Sequence, residues 1–128
     1  MVIGPTGLAL DAHGNTLYVA DSVSNRIAAI PNPLSRTTSA GIGATVSEGG
    51  NLNDPLGITV GPAGNILAAN GNNGWLVVVT PGGVQTAKIL LDNTGNPPGA
   101  GALFGLVYVR GTGIYYVDDA SNTLNLLP

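Results

Sequence analysis

The chain has 128 residues, 44% of them hydrophobic, which suits one domain with a packed core and argues against a disordered segment. Only 9% of residues are charged, the net charge is -3, and the four basic residues (Arg26, Arg36, Lys88, Arg110) are scattered, so a nucleic-acid partner is not expected. The absence of cysteine excludes disulfides and thiolate metal sites.

Twenty glycines and nine prolines interrupt nearly every run that would hold a helical period, so the composition predicts short strands joined by tight turns. The opening "MVIGPTGLAL" lacks a positive n-region and meets Gly4-Pro5 early, so no signal peptide is expected in it. The longest apolar stretches, "LVVV" and "ILL", fall far short of the ~20 residues of a membrane-spanning helix, and no membrane association is expected. A strand over Gly7–Asp11 leads through the turn "HGN" to a second over Thr16–Ala20, then past Asp21 to a third over Arg26–Ile30. The same order recurs in "PLGITVGPAGNILAANGNNGWLVVVTP" and "LFGLVYVRGTGIYYVDDASNTLNLLP".

Gly7, Gly57 and Gly105 mark the three units at spacings of 50 and 48. Asp21, Asn70 and Asp118 occupy matching places, and Pro31, Pro81 and Pro128 stand near the unit ends. A fourth strand is expected in the connectors, most clearly over Val84–Leu91. The reading is therefore an all-β single domain, 1–128, of three four-stranded β-propeller blades at approximately 4–50, 51–98 and 99–128. The first strand of each unit should lie innermost, because "GLAL" and "GITV" carry no charge on either face, as a strand covered on both sides requires. Asp21 ends its strand where a carboxylate can accept backbone N–H groups of the next loop, and Asn70 and Asp118 are expected to do likewise.

These residues carry a resemblance. "GLALDAHGNTLYVADSVSNRIAAI" resembles the NHL repeat, in which a Gly-hydrophobic strand leads to a "GN-hydrophobic-YVAD" strand and then "N-R-I". The second unit departs from it at Asn70, Gly74 and Trp75; the third keeps Asp118 and Asn122 but has Thr123 at the arginine position. The final unit also resembles the C-terminal end of exported bacterial NHL-repeat proteins. The resemblance implies part of a propeller, usually six-bladed, and an extracellular or periplasmic location. It implies no single function, because propellers of this kind include lactonases, lyases and binders of protein or RNA.

Three units cannot close a ring, since propellers use about four to eight blades and closure is what hides their faces and edges. Only "MVI" precedes the first repeat, too little to supply the outer strand that the third unit lacks. Either the chain is a fragment, or two copies associate about a two-fold axis along the channel and make a six-bladed ring. The homodimer is the favoured expectation.

No catalytic residue and no metal ligand is assigned from the sequence. Asp21, Asn70 and Asp118 read as turn-forming positions, because a residue repeated in every blade is most simply one that each blade needs. Asp118 and Asp119 are adjacent and point to opposite faces of an extended chain. His13, the sole histidine, and Trp75, the sole tryptophan, are the two speculative ligand contacts, as a general base and a stacking platform. Each also has a plain reading, His13 as an exposed turn residue and Trp75 as a cover for an outer blade surface. Lactonase-like propellers hold calcium in the channel on Glu, Asn and Asp oxygens; the material here is Glu48, Asn53 and Asp54 in one connector, with no calcium-loop spacing. No Walker lysine and no G-x-S-x-G elbow occurs. The expected function is an interaction or structural module that binds a protein or small ligand at its loop face. The competing reading is a lactonase- or lyase-type enzyme with a channel metal and His13 or Asp118 as base.

Overall fold

The computed structural model describes residues 4–128. Among them, eleven strands form three antiparallel sheets. The first contains β1 (Pro5–Leu10), β2 (Thr16–Asp21), β3 (Arg26–Pro31) and β4 (Ala44–Glu48) in that order. The second contains β5 (Pro55–Val60), β6 (Ile66–Asn70), β7 (Trp75–Val79) and β8 (Gln85–Leu90). The third contains β9 (Leu103–Val109), β10 (Gly113–Asp118) and β11 (Thr123–Leu127). Each sheet is a simple meander in sequence order, and the first strands stack: β1 packs on β5, and β5 on β9. Three propeller blades follow one another around an axis on the side of these strands.

Turn chemistry sets each hairpin. Asp11 Oδ1 accepts the Asn15 and Thr16 amides at 2.7 and 3.3 Å, and Gly14 supplies φ of 71° between β1 and β2. Between β5 and β6 a single 3-10 turn, Pro62–Gly64, does the same work, with Pro at its start.

Strand alternation then sorts side chains into faces. Ala9, Tyr18 and Ala29 lie in one cross-strand row of the first blade, and Leu8, Val19 and Ala28 in another on the opposite face. The first face meets the second blade: Tyr18, Ala20 and Ile27 form one buried cluster with Ile58, Ile66, Ala68, Val77 and Val79. Between the second and third blades, Ala69, Ala102 and Leu103 are buried with Leu91, Leu106 and Tyr116 packed against them. The core is thus two inter-blade layers, not one central cluster.

Two expectations need correction. Among the described residues the third sheet has three strands, not four, since no strand pairs with the outer edge of β11. The notion that Met1–Ile3 are too few to supply the missing strand lies outside the described residues. Second, inner strands are not covered alike: five of the six residues of β5 are buried, whereas β1 and β9 alternate between covered and exposed. Only the middle blade has a neighbour on both sides.

The marker glycines show how tight the stack is. A Cβ on Gly7 would stand 2.5 Å from the Leu56 carbonyl oxygen, and one on Gly57 would overlap the Phe104 carbonyl oxygen. A Cβ on Gly105 would meet nothing within 4 Å. Backbone of the following blade comes this close at the first two glycines and is missing at the third.

Candidate functional site

The β2–β3, β6–β7 and β10–β11 loops and the connectors between blades lie together on one face. Gly49 donates to the Asn25 carbonyl at 3.0 Å, Gly101 to Gly71 at 2.7 Å and Asp119 to Ala102 at 2.7 Å. These bonds stitch each connector to the loops beside it, which makes the loop face a continuous surface.

Asp21 ends β2 and is buried. Its Oδ1 accepts the Ser24 amide at 3.3 Å, and its Oδ2 accepts Arg26 Nε at 3.0 Å. Burial pushes this carboxyl up, but the Arg26 hydrogen bond, the Ser24 amide and hydroxyl and the Arg26 charge outweigh it, so it sits below the ordinary value. Arg26 extends the bridge, donating to Thr45 Oγ1 at 2.8 Å and to the Ile42 carbonyl at 2.5 Å. Asp118 likewise accepts the Ser121 amide at 3.2 Å.

Asn70 behaves differently from the expected turn-former. It is fully buried, its Oδ1 accepts the Asn53 amide at 3.0 Å, and its Nδ2 donates to the Asn51 carbonyl at 2.8 Å and Asn73 Oδ1 at 3.0 Å. An amide that both donates and accepts can hold the connector before its blade, which a carboxylate cannot. Asn25 grips the same connector from the first blade, donating to the Leu52 carbonyl at 2.9 Å and accepting the Asp54 amide at 3.0 Å. Position also explains the repeat of Asn25, Gly74 and Asn122: their φ values are 48°, 71° and 55°, the left-handed region that Asn and Gly enter most readily.

One pairing escaped the sequence reading. The sequence neighbour of Asp118, Asp119, is exposed; the Asp118 carboxyl lies instead near that of Asp92, on the connector after β8. The Thr94 hydroxyl, 2.8 Å from Asp92 Oδ1, holds Asp92 below the ordinary carboxyl range; burial opposes this, while the Thr94 amide and Asp118 add to it. Burial, and then the charges of Asp118 and Asp92, push the Tyr116 phenol up. The available signal was "DNT", since an aspartate two residues before a threonine is a local turn pattern.

The two speculative contacts lie apart. Trp75 starts β7, and the Lys88 ammonium of the neighbouring strand stands 4.4 Å from its ring centroid, in cation–π contact. His13 is exposed in the β1–β2 turn, at the opposite end of the strands, beside a hollow on the turn side of the blades.

A channel cation would require several oxygen ligands facing it. Beside the three inner strands is a hollow of about 320 Å³ lined by Thr6, Phe104 and the glycines and leucines around them. Thr6 is its one side-chain oxygen, and that hydroxyl donates to the Leu56 carbonyl at 2.8 Å. On the loop face, the oxygens of Asp21, Asn70 and Asp118 are engaged within the chain, and the described residues bring no three His, Cys, Asp or Glu side chains together.

A three-bladed stack with open ends is a portion of a β-propeller, and known structures agree. No family model and no curated protein matches the chain. It is similar to regucalcin, a calcium-binding protein from Agrobacterium tumefaciens, with TM-score 0.69 and 15% identity over 92% of this chain and 41% of that one. It is also similar to a catalytically inactive virginiamycin B lyase from Staphylococcus aureus, with TM-score 0.66 and 16% identity over 97% and 41%. The Swd1 β-propeller domain of Myceliophteria thermophila gives TM-score 0.67 and 16% identity over 96% and 40%. The chain spans about two fifths of each of these proteins. The likeness establishes the propeller fold.

Proposed function

We propose that the chain is a non-enzymatic interaction module of NHL-repeat type, a half-ring that a second copy completes to six blades, with the loop face as its binding surface. The observation that carries this is the identity of the open faces. Thr59, Leu67, Ala69, Leu76 and Val78 share the face of the second blade that meets the third. Forty-eight residues on stand Val107, Tyr115, Val117, Leu124 and Leu126, one face of the third blade that no other described blade covers. Leu76 is 0% exposed and Leu124 is 69% exposed.

The first blade mirrors this. Leu8, Leu10, Leu17, Val19, Ala28 and Ile30 hold the positions of Ile58, Val60, Ile66, Ala68, Val77 and Val79, which face the preceding blade. Leu8 is 63% exposed where Ile58 is 5%. The exposed parts of the two ends match the faces that meet inside the chain, while Val19 and Ala28 of the first are already buried beside Gly41 and Ile42. A strand spacing of about 4.8 Å and a rise of about 3.3 Å per residue make each face roughly 300–400 Å². Four faces meeting in a closed pair cover about 1,300 Å², within the range of stable complexes. A head-to-tail contact repeated by a two-fold rotation closes and leaves no open face.

Light scattering at micromolar concentration tests the reading, with a mass of two chains expected and a mass of one chain overturning it. A calcium titration with a lactone-hydrolysis assay tests the competing enzyme. Stoichiometric calcium accompanied by turnover would displace the binding-module reading.

A further inference from the structure

The turn side of the blades carries a hollow of about 790 Å³, within the roughly 300–1,000 Å³ of small-molecule sites. All three blades contribute. Leu10, Tyr18, Val60 and Tyr108 line it with apolar and aromatic surface, together with His13 and Arg110.

Arg110 is what distinguishes this hollow. Of the four basic residues, Arg26 is bonded to Asp21, Thr45 and Ile42, and Arg36 donates to the carbonyls of Pro31, Thr38 and Ser39. Lys88 stands over Trp75. Arg110 makes no hydrogen bond and no ion pair with any described residue. Asp11, the carboxylate lining the same hollow, already accepts two backbone amides of its own turn through Oδ1. A guanidinium without a partner among the described residues, in a hollow that two tyrosines also line, offers a fork for a carboxylate and an aromatic wall for whatever carries it.

We propose that this hollow binds a small aromatic carboxylate, with Arg110 as the bidentate partner of the carboxylate, Tyr108 and Tyr18 against the ring, and His13 as an additional hydrogen-bonding group. The site is built within one chain, and of the lining residues named above Leu10 alone also belongs to the face proposed to meet a second copy.

Benzoate is the probe, with benzamide as its neutral isostere, followed by amide chemical shifts of the isotope-labelled protein. Saturable shifts are expected at Ala12, Gly61, Ala63 and Gly64, with benzamide binding at least about tenfold more weakly, as loss of a charged hydrogen-bond pair predicts. Arg110→Gln should weaken benzoate by a similar factor. Arg110 is exposed, so an unchanged melting temperature will show that the variant folds. Arg36→Gln should leave benzoate binding as it was. Equal response to benzoate and benzamide, undiminished binding by Arg110→Gln, shifts confined to other surfaces, or no shifts at all would overturn the proposal.

Discussion

Replacing Gly57 by alanine tests the stacking of inner strands most directly. The new Cβ would overlap the Phe104 carbonyl oxygen and stand 2.7 Å from Leu106 Cδ2. The leucine can rotate away, but the carbonyl belongs to β9 backbone, so the third blade must withdraw. Forced displacement of this kind costs about 1–3 kcal/mol, and a backbone clash belongs at the upper end. An entropy of unfolding of about 2.1 cal/mol/K per residue makes 1 kcal/mol worth about 4 °C for a chain of 128 residues, so the melting temperature should fall by roughly 8–12 °C. Gly105→Ala is the matched control, since nothing lies within 4 Å of its Cβ. Both are best compared by thermal circular dichroism in a Leu124→Asp background, which would block the proposed self-association while leaving an already exposed site solvated. There, Gly105→Ala should melt within about 2 °C of its parent, or slightly above it, because alanine restricts the unfolded chain. A Gly57→Ala variant as stable as the Gly105→Ala variant would refute the close approach of β5 and β9.

Gly105→Ala in the otherwise unchanged chain should instead weaken dimer formation by at least about tenfold in analytical ultracentrifugation, because a second copy would press there as β9 does on Gly57; undiminished association would show that this face is not used. Asn70→Ala should cost about 1–3 kcal/mol in urea unfolding, because it removes the three hydrogen bonds of a fully buried side chain, to the Asn51 carbonyl, the Asn53 amide and the Asn73 side chain. A loss below about 1 kcal/mol would mean that the connector is held elsewhere. Asp21 contributes its stabilisation above the ordinary carboxyl value and loses it as pH falls through its lowered folded value, so the gap between wild type and Asp21→Asn should be full at pH 7 and close below about pH 3.8. A gap unchanged at pH 2.5 would contradict the Arg26 pairing.

What the residues themselves determined was local. Strands at Thr16–Asp21 and Ile66–Asn70 follow from alternation between turn residues, and the spacing of Gly7, Gly57 and Gly105 reveals three equivalent sheets. These are properties of a few consecutive residues and of their repetition. Tertiary structure decided whatever depends on the neighbour: why Gly57 has no room while Gly105 does, why Leu76 is buried and Leu124 is not, and that Asp118 meets Asp92 instead of Asp119. It also decided that Asn70 clamps a connector instead of turning its own loop, and that Arg110 alone among the basic residues remains free among the described residues. Periodicity assigns a side chain to a face, but burial, charge pairing and access depend on what packs against that face, and that is settled by contacts between segments about fifty residues apart.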